Sequence, residues 1–260
     1  MTAIDFASFV EALATHSGEA ILPFFRTSLA ALDKSSSGVF DPVTEADRAG
    51  EVVMRRMINA NFPSHGIVGE EFGVERGDAE YVWVLDPIDG TKAFICGLPI
   101  WGTLIGLTRF GHPVYGMLNQ PFSRERFSGD GKASIYQGPA GHRTLRVRDC
   151  TSVAQALITT THPRMMAPAE RQRFDRLEER AKLSRYGGDC YAYAMLAAGH
   201  IDLVVEAALK PYDIVAIIPI VEGAGGVVTT WEGADASGGG TVIAAGDRRV
   251  HQEALAILNG

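Results

Sequence analysis

The chain of 260 residues contains only three cysteines and no long hydrophobic run. Cys96, Cys150 and Cys190 are too few and too widely spaced for a disulfide framework or a C-x-x-C pair, so we expect them to be buried as small apolar side chains. No apolar run approaches the roughly 18 residues that a membrane span requires. The first residues, MTAIDFASFVEALA, also lack the basic segment of a signal peptide. These absences predict a cytoplasmic protein.

Positive charge is also scarce, with 24 Lys and Arg against 31 Asp and Glu and a formal net charge of −7. This balance disfavours a nucleic-acid-binding surface, and it suits a protein that collects divalent cations. The seven histidines are scattered without the spacing of metal ligands. The apolar content of 46% in a chain of this length is typical of one domain or of two closely packed halves.

Two amphipathic helices are predicted near the start of the chain, one from about residue 4 and one from about residue 44. Each begins with the spacing of a capping box, which Thr44 and Asp47 form for the second helix. In that second helix, the residues expected to share one face are Val53, Met57 and Ala60. The polar segment DKSSSGVFDP between the two helices predicts a mobile loop.

Helices and strands are mixed along the rest of the chain. Strands are predicted at GIVG, YVWVL, TLIGLTRF and PVYGML, and Gly111 joins the last two as a hairpin. From about residue 150, helical patterns such as APAERQRFDRLEERA and CYAYAMLAAG alternate with single strands such as LSRY, IDLVVE, GVVTTW and TVIAAG. We therefore predict one catalytic unit over residues 1–260, with an N-terminal α+β half at 1–146 that carries the metal motifs and a C-terminal α/β half at 147–260 that recognises the substrate.

The stretch WVLDPIDGTKAFICG, residues 83–97, places two carboxylates at the end of a predicted strand. Asp86 and Asp89 could project from one tight turn toward the same point, and converging carboxylates are the hard oxygen ligands that Mg²⁺ prefers. Gly90 and Thr91 follow, and their N–H groups could bind a phosphate oxygen if a helix begins there. Metal ligands beside anion donors indicate phosphoryl transfer. The alternative is a capped turn in which Asp89 bonds its own backbone and Asp86 is solvated.

Other phosphate-binding motifs do not fit the sequence. A phosphatase of the haloacid dehalogenase type would need D-x-D-G-T, whereas the spacing found is D-x-x-D-G-T. The single Gly-Lys, Gly131-Lys132, is followed by Ala133 and does not complete a P-loop, and no early G-x-G-x-x-G follows a strand. Neither a P-loop nor a dinucleotide-binding fold is therefore predicted.

A third acidic group lies upstream, where GIVGEEFG ends an apolar run in Glu70 and Glu71. Neighbouring strands of one sheet would bring the end of this run close to Asp86. A glutamate beside a divalent cation can position and deprotonate a water molecule, because the cation lowers the pKa of that water by several units. For a lone Glu-Glu pair, the alternative is a solvated loop.

The motifs GEE, LDPIDGT and YDIVA occur in this order and resemble those of the inositol monophosphatase family of Mg²⁺-dependent, lithium-sensitive phosphatases. The third motif of that family is usually Trp-Asp, whereas here Tyr212 precedes Asp213. The resemblance covers nearly the whole chain. It implies a mixed α/β (α+β) fold, a layered α-β-α-β-α sandwich of the inositol monophosphatase / fructose-1,6-bisphosphatase type, and assembly as a homodimer.

The resemblance also implies the metal ligands. Glu70, Asp86 and the carbonyl of Ile88 would hold one Mg²⁺, and Asp86, Asp89 and Asp213 would hold a second. Two such ions, roughly 3.5–4 Å apart, stabilise both the attacking and the leaving oxygen of an in-line displacement, so no covalent phosphoenzyme is needed.

For catalysis, the resemblance implies that Glu70, Thr91 and Asp47 act on the attacking water. The loop that contains Lys34 matches a mobile loop near a weaker third metal site. The residues implied to bind the phosphate group of the substrate are Ile88, Asp89, Gly90, Thr91 and Asp213.

Within the family, SRYGGDCYAYAMLAAGHIDLVVE resembles the histidinol-phosphate phosphatase branch more than the inositol branch. Inositol phosphatases tend to carry small residues where Gly188-Asp189 stand here. Histidinol phosphate brings an ammonium and an imidazole, which a carboxylate would bind by a charge-assisted hydrogen bond. Asp189 and Glu206 are the candidates for this contact, and Arg185 resembles the substrate-binding arginine of the branch. An intramolecular ion pair is the alternative role for Arg185.

Two further functional hypotheses remain open. The substrate could be another phosphomonoester, such as inositol 1-phosphate, fructose 1,6-bisphosphate or adenosine 3′,5′-bisphosphate; a bisphosphate would demand more basic residues than the candidates Arg185 and Lys92. Alternatively, the chain could act as a regulatory binding partner of the transcription machinery, as some members of the superfamily do.

Overall fold

The computed structural model describes residues 6–27, 32–33, 42–43 and 45–260, with the backbone alone at 32–33 and 42–43. The predictions for Lys34, for the Thr44 cap and for most of the DKSSSGVFDP loop lie outside these residues. The helices are α1 Phe6–Ile21, α2 Glu45–Asn61, α3 Thr91–Ile95, α4 Pro168–Glu178, α5 Asp189–Ala197, α6 Pro211–Ile214, α7 Ile217–Gly223 and α8 Arg248–Asn259. The strands are β1 Leu32–Asp33, β2 Pro42–Val43, β3 Gly66–Gly69, β4 Gly73–Glu75, β5 Tyr81–Asp89, β6 Gly102–Arg109, β7 His112–Gln120, β8 Glu125–Gly129, β9 Ser134–Gly138, β10 Gly141–Thr144, β11 Leu157–Thr160, β12 Leu183–Tyr186, β13 Leu203–Leu209, β14 Val227–Thr230 and β15 Gly240–Ala245.

Two large sheets divide these strands by their position in the chain. The first has eight strands in the order β10-β9-β8-β7-β6-β5-β3-β4, and the second has five in the order β12-β11-β13-β15-β14. The short β1 and β2 pair with each other. Neighbours in the eight-stranded sheet are antiparallel except β3 and β5, which run parallel and so end at the same edge.

Helices cover the sheets in layers. On the outer face of the eight-stranded sheet, α1 and α2 bury a core around Leu13, Ile58 and Trp83. Between the two sheets, α5 and α7 share a second core with strands from both. On the far face of the five-stranded sheet, α4 and α8 bury Phe174 and Val250 against the strands. The α-β-α-β-α sandwich predicted from the family resemblance is therefore confirmed. The division at residue 146 into functional halves stays a prediction.

A close backbone contact places α6 and α7 on the eight-stranded sheet. A Cβ atom at Gly116 in β7 would lie 1.8 Å from the carbonyl oxygen of Ala216, so only glycine allows this approach. Because α6 ends just before Ala216 and also contacts β5, this packing brings Asp213 to the end of β5.

Helix α2 buries a different face from the predicted one. Met54 and Ile58 are fully buried, whereas Val53 and Met57 are only partly buried and Ala60 is exposed. The prediction is wrong because polar residues also turn inward on this helix, so the apolar pattern alone does not mark its buried side.

The expectation that all three cysteines are buried is wrong for one of them. Cys96 is exposed just after α3, whereas Cys150 and Cys190 are buried as expected. The structure also contains elements that the sequence patterns do not predict, among them strands β8, β9 and β10 and helix α8. Within the described ranges, no helix combines the length and apolar character of a membrane-spanning segment.

Candidate active site

A bulge in β5 brings the two motif carboxylates to one side of the strand. Residues three apart in a regular strand point to opposite faces. The pairing of β5 with β6 shifts between Asp86, which lies opposite Leu104, and Asp89, which lies opposite Gly102, so β5 carries one extra residue there. Such a bulge can redirect a side chain. The ligand oxygens of Asp86, Asp89 and Asp213 lie within 4.8 Å of one another.

Local hydrogen bonds fix the turn that carries these groups. The Ile88 N–H donates to Asp86 Oδ1 at 3.0 Å, and the Thr91 hydroxyl donates to the Ile88 carbonyl at 3.1 Å. Gly90 adopts a left-handed conformation with φ of +86° and starts α3. Because a carbonyl oxygen has two lone pairs, Ile88 can accept from Thr91 and still offer a lone pair to a cation.

The other two carboxylates are held by backbone N–H groups at helix starts. Cys190 at the start of α5 donates to Asp89 Oδ2 at 2.5 Å, and Lys210 before α6 donates to Asp213 Oδ2 at 2.7 Å. The positive end of a helix dipole also favours a negative group in this position. Each carboxylate therefore has one oxygen oriented by the backbone and can offer the other to a ligand.

Glu70 and Asp47 approach the same cluster from two further elements. Glu70 directly follows β3, and its N–H donates to the Leu85 carbonyl at 3.2 Å, which places it beside Asp86. Asp47 is buried in the first turn of α2. The prediction that neighbouring strands bring Glu70 close to Asp86 is thus confirmed.

The cluster concentrates negative charge in a buried place. Burial, followed by the charges of Glu70 and Asp89, raises the pKa of Asp86 well above its usual range. Burial and the charges of Asp189 and Asp213 raise the pKa of Asp89 in the same way. Burial also raises the pKa of Asp213 to about 6. A bound divalent cation would offset this repulsion, and the donor set of carboxylate and carbonyl oxygens fits a hard cation such as Mg²⁺.

Asp189 reaches the site from the start of α5, which lies between the two sheets. It follows two glycines with positive φ and itself has φ of +42°, a conformation that is uncommon for a residue with a side chain. A Cβ atom at Gly90 would lie 3.1 Å from Asp189 Oδ2, so the carboxylate rests against the turn after β5. Burial raises the pKa of Asp189, and the nearby Lys92 ammonium opposes that shift.

Glu206 lies deeper than Asp189 and is 3% exposed. One of its oxygens accepts from the Thr161 N–H at 2.6 Å and the Thr161 hydroxyl at 2.9 Å, and the other accepts from the Thr160 hydroxyl at 3.1 Å. The Thr161 side chain is also close to Asp189 and opposes the rise of its pKa. Thr161 therefore lies next to both carboxylates predicted to recognise the substrate.

The structure adds site residues that the sequence motifs do not indicate. Thr160 and Thr161 carry no motif, and only the three-dimensional pairing of β11 with β13 brings them to Glu206. Tyr193 lies one helical turn after Asp189, and its buried hydroxyl has no hydrogen-bond partner among the described residues. The i, i+4 spacing of Asp189 and Tyr193 is the sequence feature that could have indicated Tyr193, because residues four apart lie on the same face of a helix.

Arg185 is not joined to the cluster. It lies on β12, the exposed edge strand of the five-stranded sheet, opposite Thr159 of β11. Within the described part of the chain it makes no ion pair, so the alternative role in an intramolecular pair gains no support. Its role as a substrate residue stays a prediction.

The buried Glu206 makes stability depend on pH. Burial raises its pKa to about 7 from an ordinary value of 4.5, so the folded chain binds more protons than the unfolded chain between these pH values. The free energy of unfolding should therefore fall by about 3 kcal/mol as pH rises from about 4.5 to about 7.

We expect Glu206→Gln to remove that part of the pH dependence of the free energy of unfolding, measured by urea unfolding with EDTA present. The exposed Glu179→Gln should leave it unchanged, and equal slopes for Glu206→Gln and the unsubstituted chain would contradict the shift.

The layered fold and the carboxylate cluster at the β5 bulge are those of a family of phosphatases that act on small phosphomonoesters. The chain belongs to the inositol monophosphatase family, whose model matches residues 4–259, and this family uses divalent metal ions.

Relatives and a solved structure support this membership. The chain is 43% identical over 265 residues to the chloroplastic bifunctional phosphatase IMPL2 of Arabidopsis thaliana, covering 97% of this chain and 75% of that one. It is 33% identical over 222 residues to a histidinol-phosphatase of Chlorobaculum parvum, and the match covers 85% of this chain and 84% of that one. A solved inositol monophosphatase from Zymomonas mobilis is 39% identical and superimposes over 100% of both chains with a TM-score of 0.89.

Proposed function

We propose that this chain hydrolyses L-histidinol phosphate to L-histidinol and phosphate with Mg²⁺ as its cofactor. The observation that carries the proposal is the position of Asp189, whose carboxylate rests against the turn after β5 and next to the cluster of Asp86, Asp89 and Asp213. A carboxylate in that position can pair with a cationic leaving alcohol, which adds a charge–charge attraction that the hydroxyls of a neutral polyol lack. The resemblance to histidinol-phosphatases at 33% identity supports the same choice.

The proposed metal ligands follow from the cluster. Glu70, Asp86 and the Ile88 carbonyl would hold one Mg²⁺, and Asp86, Asp89 and Asp213 a second. When bound, Mg²⁺ would neutralise charge on the phosphate group and make water a better nucleophile at neutral pH. The convergence of the buried Asp86 with the half-buried Asp89 and Asp213 supports this assignment.

The residues around the cluster would then act on water and phosphate. Thr91 and Asp47 would orient the attacking water, and Glu70 would accept its proton. The water oxygen forms the new bond to phosphorus, the ester P–O bond breaks, and the departing alkoxide takes a proton from a solvent water molecule to leave as the alcohol. The backbone of Ile88, Gly90 and Thr91 and the carboxylates of Asp89 and Asp213 are the groups proposed to hold the phosphate.

Substrate recognition is assigned to Asp189, Glu206 and Arg185. Asp189 would contact the ammonium or imidazole directly. Glu206 lies behind it and holds Thr161, so its effect would reach the substrate through Thr161 and Asp189. Arg185 remains available for a contact with substrate from the exposed β12. A homodimer, a third metal ion and the role of the Lys34 loop remain predictions.

A phosphate-release assay over a panel of substrates tests the proposal. Histidinol phosphate should be hydrolysed with a kcat/KM about 10- to 150-fold above that of inositol 1-phosphate, because a buried charge-assisted contact is worth about 1.5–3 kcal/mol. Asp189→Asn should erode this preference without abolishing hydrolysis. Asp149→Asn, at a side chain that is 97% exposed, serves as the matched control and should leave the ratio unchanged.

The second candidate substrate is inositol 1-phosphate, which the 39% identity to the Zymomonas mobilis inositol monophosphatase favours. If inositol 1-phosphate proves the equal or better substrate, the histidinol assignment fails while the proposed metal chemistry stands. If neither compound is hydrolysed but adenosine 3′,5′-bisphosphate is, the proposed roles of Asp189 and Glu206 both fail.

A further inference from the structure

A buried carboxylate outside the proposed site supports the turn that carries Glu70. Glu51 lies on α2, one helical turn after Asp47, and is 0% exposed. Its Oε2 accepts from the Glu71 N–H at 2.7 Å, and its Oε1 accepts from the Phe72 N–H at 3.3 Å. Both donors follow Glu70 directly, so Glu51 fixes the backbone on the C-terminal side of that residue.

The backbone on the N-terminal side of Glu70 also abuts Glu51. A Cβ atom at Gly69 would lie 1.9 Å from Glu51 Oε1, so the carboxylate occupies the space that any side chain at position 69 would need. Glu51 therefore borders both ends of the short turn between β3 and β4, and Glu70 lies in that turn.

Arg55 orients the Glu51 carboxylate and binds the same hairpin. Its Nε donates to Glu51 Oε1 at 2.6 Å, and its Nη2 donates to the Gly73 carbonyl at the start of β4. Its Nη1 lies 3.5 Å from Glu75 Oε2. A buried carboxylate with a hydrogen-bonded cation costs more to desolvate than an apolar side chain of the same size, so packing alone does not explain it.

We propose that Glu51 is a positioning residue that holds the turn of residues 70–72 and thereby sets Glu70 in place for the divalent cation. The inference rests on the proposed role of Glu70 as a metal ligand. Since Asp47 and Glu51 lie on the same face of α2, one helix would position two of the groups that act on the cation and the attacking water.

Titration calorimetry of Mg²⁺ binding without substrate tests this inference with Glu51→Gln. We expect the dissociation constant for Mg²⁺ to rise about 10- to 100-fold, as happens when groups that orient metal ligands are removed. At saturating Mg²⁺, the KM for substrate should stay within a few-fold of the unsubstituted value. Glu75→Gln removes a carboxylate from the exposed end of the same network and should leave Mg²⁺ affinity unchanged. A lower Tm with unaltered Mg²⁺ affinity in Glu51→Gln would overturn the inference.

Gly69→Ala provides a second route to the same contact. The added methyl group would displace the Glu51 carboxylate, so it should weaken Mg²⁺ binding by a similar factor, and the double variant should lose little more than either single variant. Gly69→Ala alone tests the role of Glu51 if Glu51→Gln does not fold.

Asp86→Asn distinguishes a failure of the proposed metal site from a failure of the proposed role of Glu51. If it binds Mg²⁺ as tightly as the unsubstituted chain, the proposed metal site is wrong. If it loses binding and both Glu51→Gln and Gly69→Ala keep it, only the role of Glu51 is wrong.

Discussion

Asp86→Asn should release phosphate at least about a thousandfold more slowly than the unsubstituted chain at saturating Mg²⁺. Asp86 is the one side chain assigned to both proposed metal ions, and its loss removes a charged ligand from each. Several kcal/mol of transition-state stabilisation would be lost, and each 1.4 kcal/mol corresponds to about tenfold in rate. The measurement is kcat for phosphate release with the best substrate of the panel.

The fold of this variant should survive. An asparagine oxygen can still accept the Ile88 N–H that fixes the turn. The neutral side chain also relieves the repulsion that raises the pKa of Asp86, so the Tm in EDTA should be equal to or above that of the unsubstituted chain. Asp149→Asn, at a side chain that is 97% exposed, serves as the control for both measurements. Near-normal turnover of Asp86→Asn in saturating Mg²⁺ would contradict the two-metal assignment.

Thr91→Ala should lower kcat by about 10²- to 10⁴-fold and change KM only a few-fold. The Thr91 hydroxyl lies next to the Ile88 carbonyl at the start of α3, and we propose that it orients the attacking water together with Asp47. An interaction that is needed chiefly in the transition state affects kcat far more than KM. Steady-state kinetics with the preferred substrate measures both constants.

Thr91→Ser is the matched control for this prediction, because it keeps the hydroxyl and loses only a methyl group. It should retain most of the activity. If Thr91→Ala raises KM and leaves kcat unchanged, Thr91 binds phosphate and does not orient water.

Local sequence predicts much of the candidate metal site. Asp86 and Asp89 follow an apolar run and precede Gly90, and these short-range features predict a strand that ends in a tight turn. Glu70 also ends an apolar run, so the parallel pairing of β3 and β5 places it where the sequence predicts. The prediction of Asp213 as a site residue depends on the family resemblance, because nothing in the sequence around it indicates that α6 packs on β5.

Other features depend on contacts between distant parts of the chain. Asp47 and Glu51 are buried on α2 together with Met54 and Ile58, so polar residues interrupt the apolar pattern that usually marks a buried face. Thr161 reaches Glu206 only through the pairing of β11 with β13. Strand propensity is set by neighbours as much as by residue type, so the partly polar β8, β9 and β10 give a weak local signal.

The origin of the cluster residues in distant parts of the chain has a consequence for folding kinetics. Asp86 and Asp89 end a strand of the eight-stranded sheet, whereas Asp213 lies in α6, which follows β13 of the five-stranded sheet and packs on β5. A cation held by all three would act as a late cross-link, since its site is complete only after α6 has packed on β5. Interactions absent from the folding transition state slow unfolding and leave the folding rate nearly unchanged. Chelation should therefore shorten the lifetime of the native state more than it slows refolding, and cation supply would set how long each folded molecule persists.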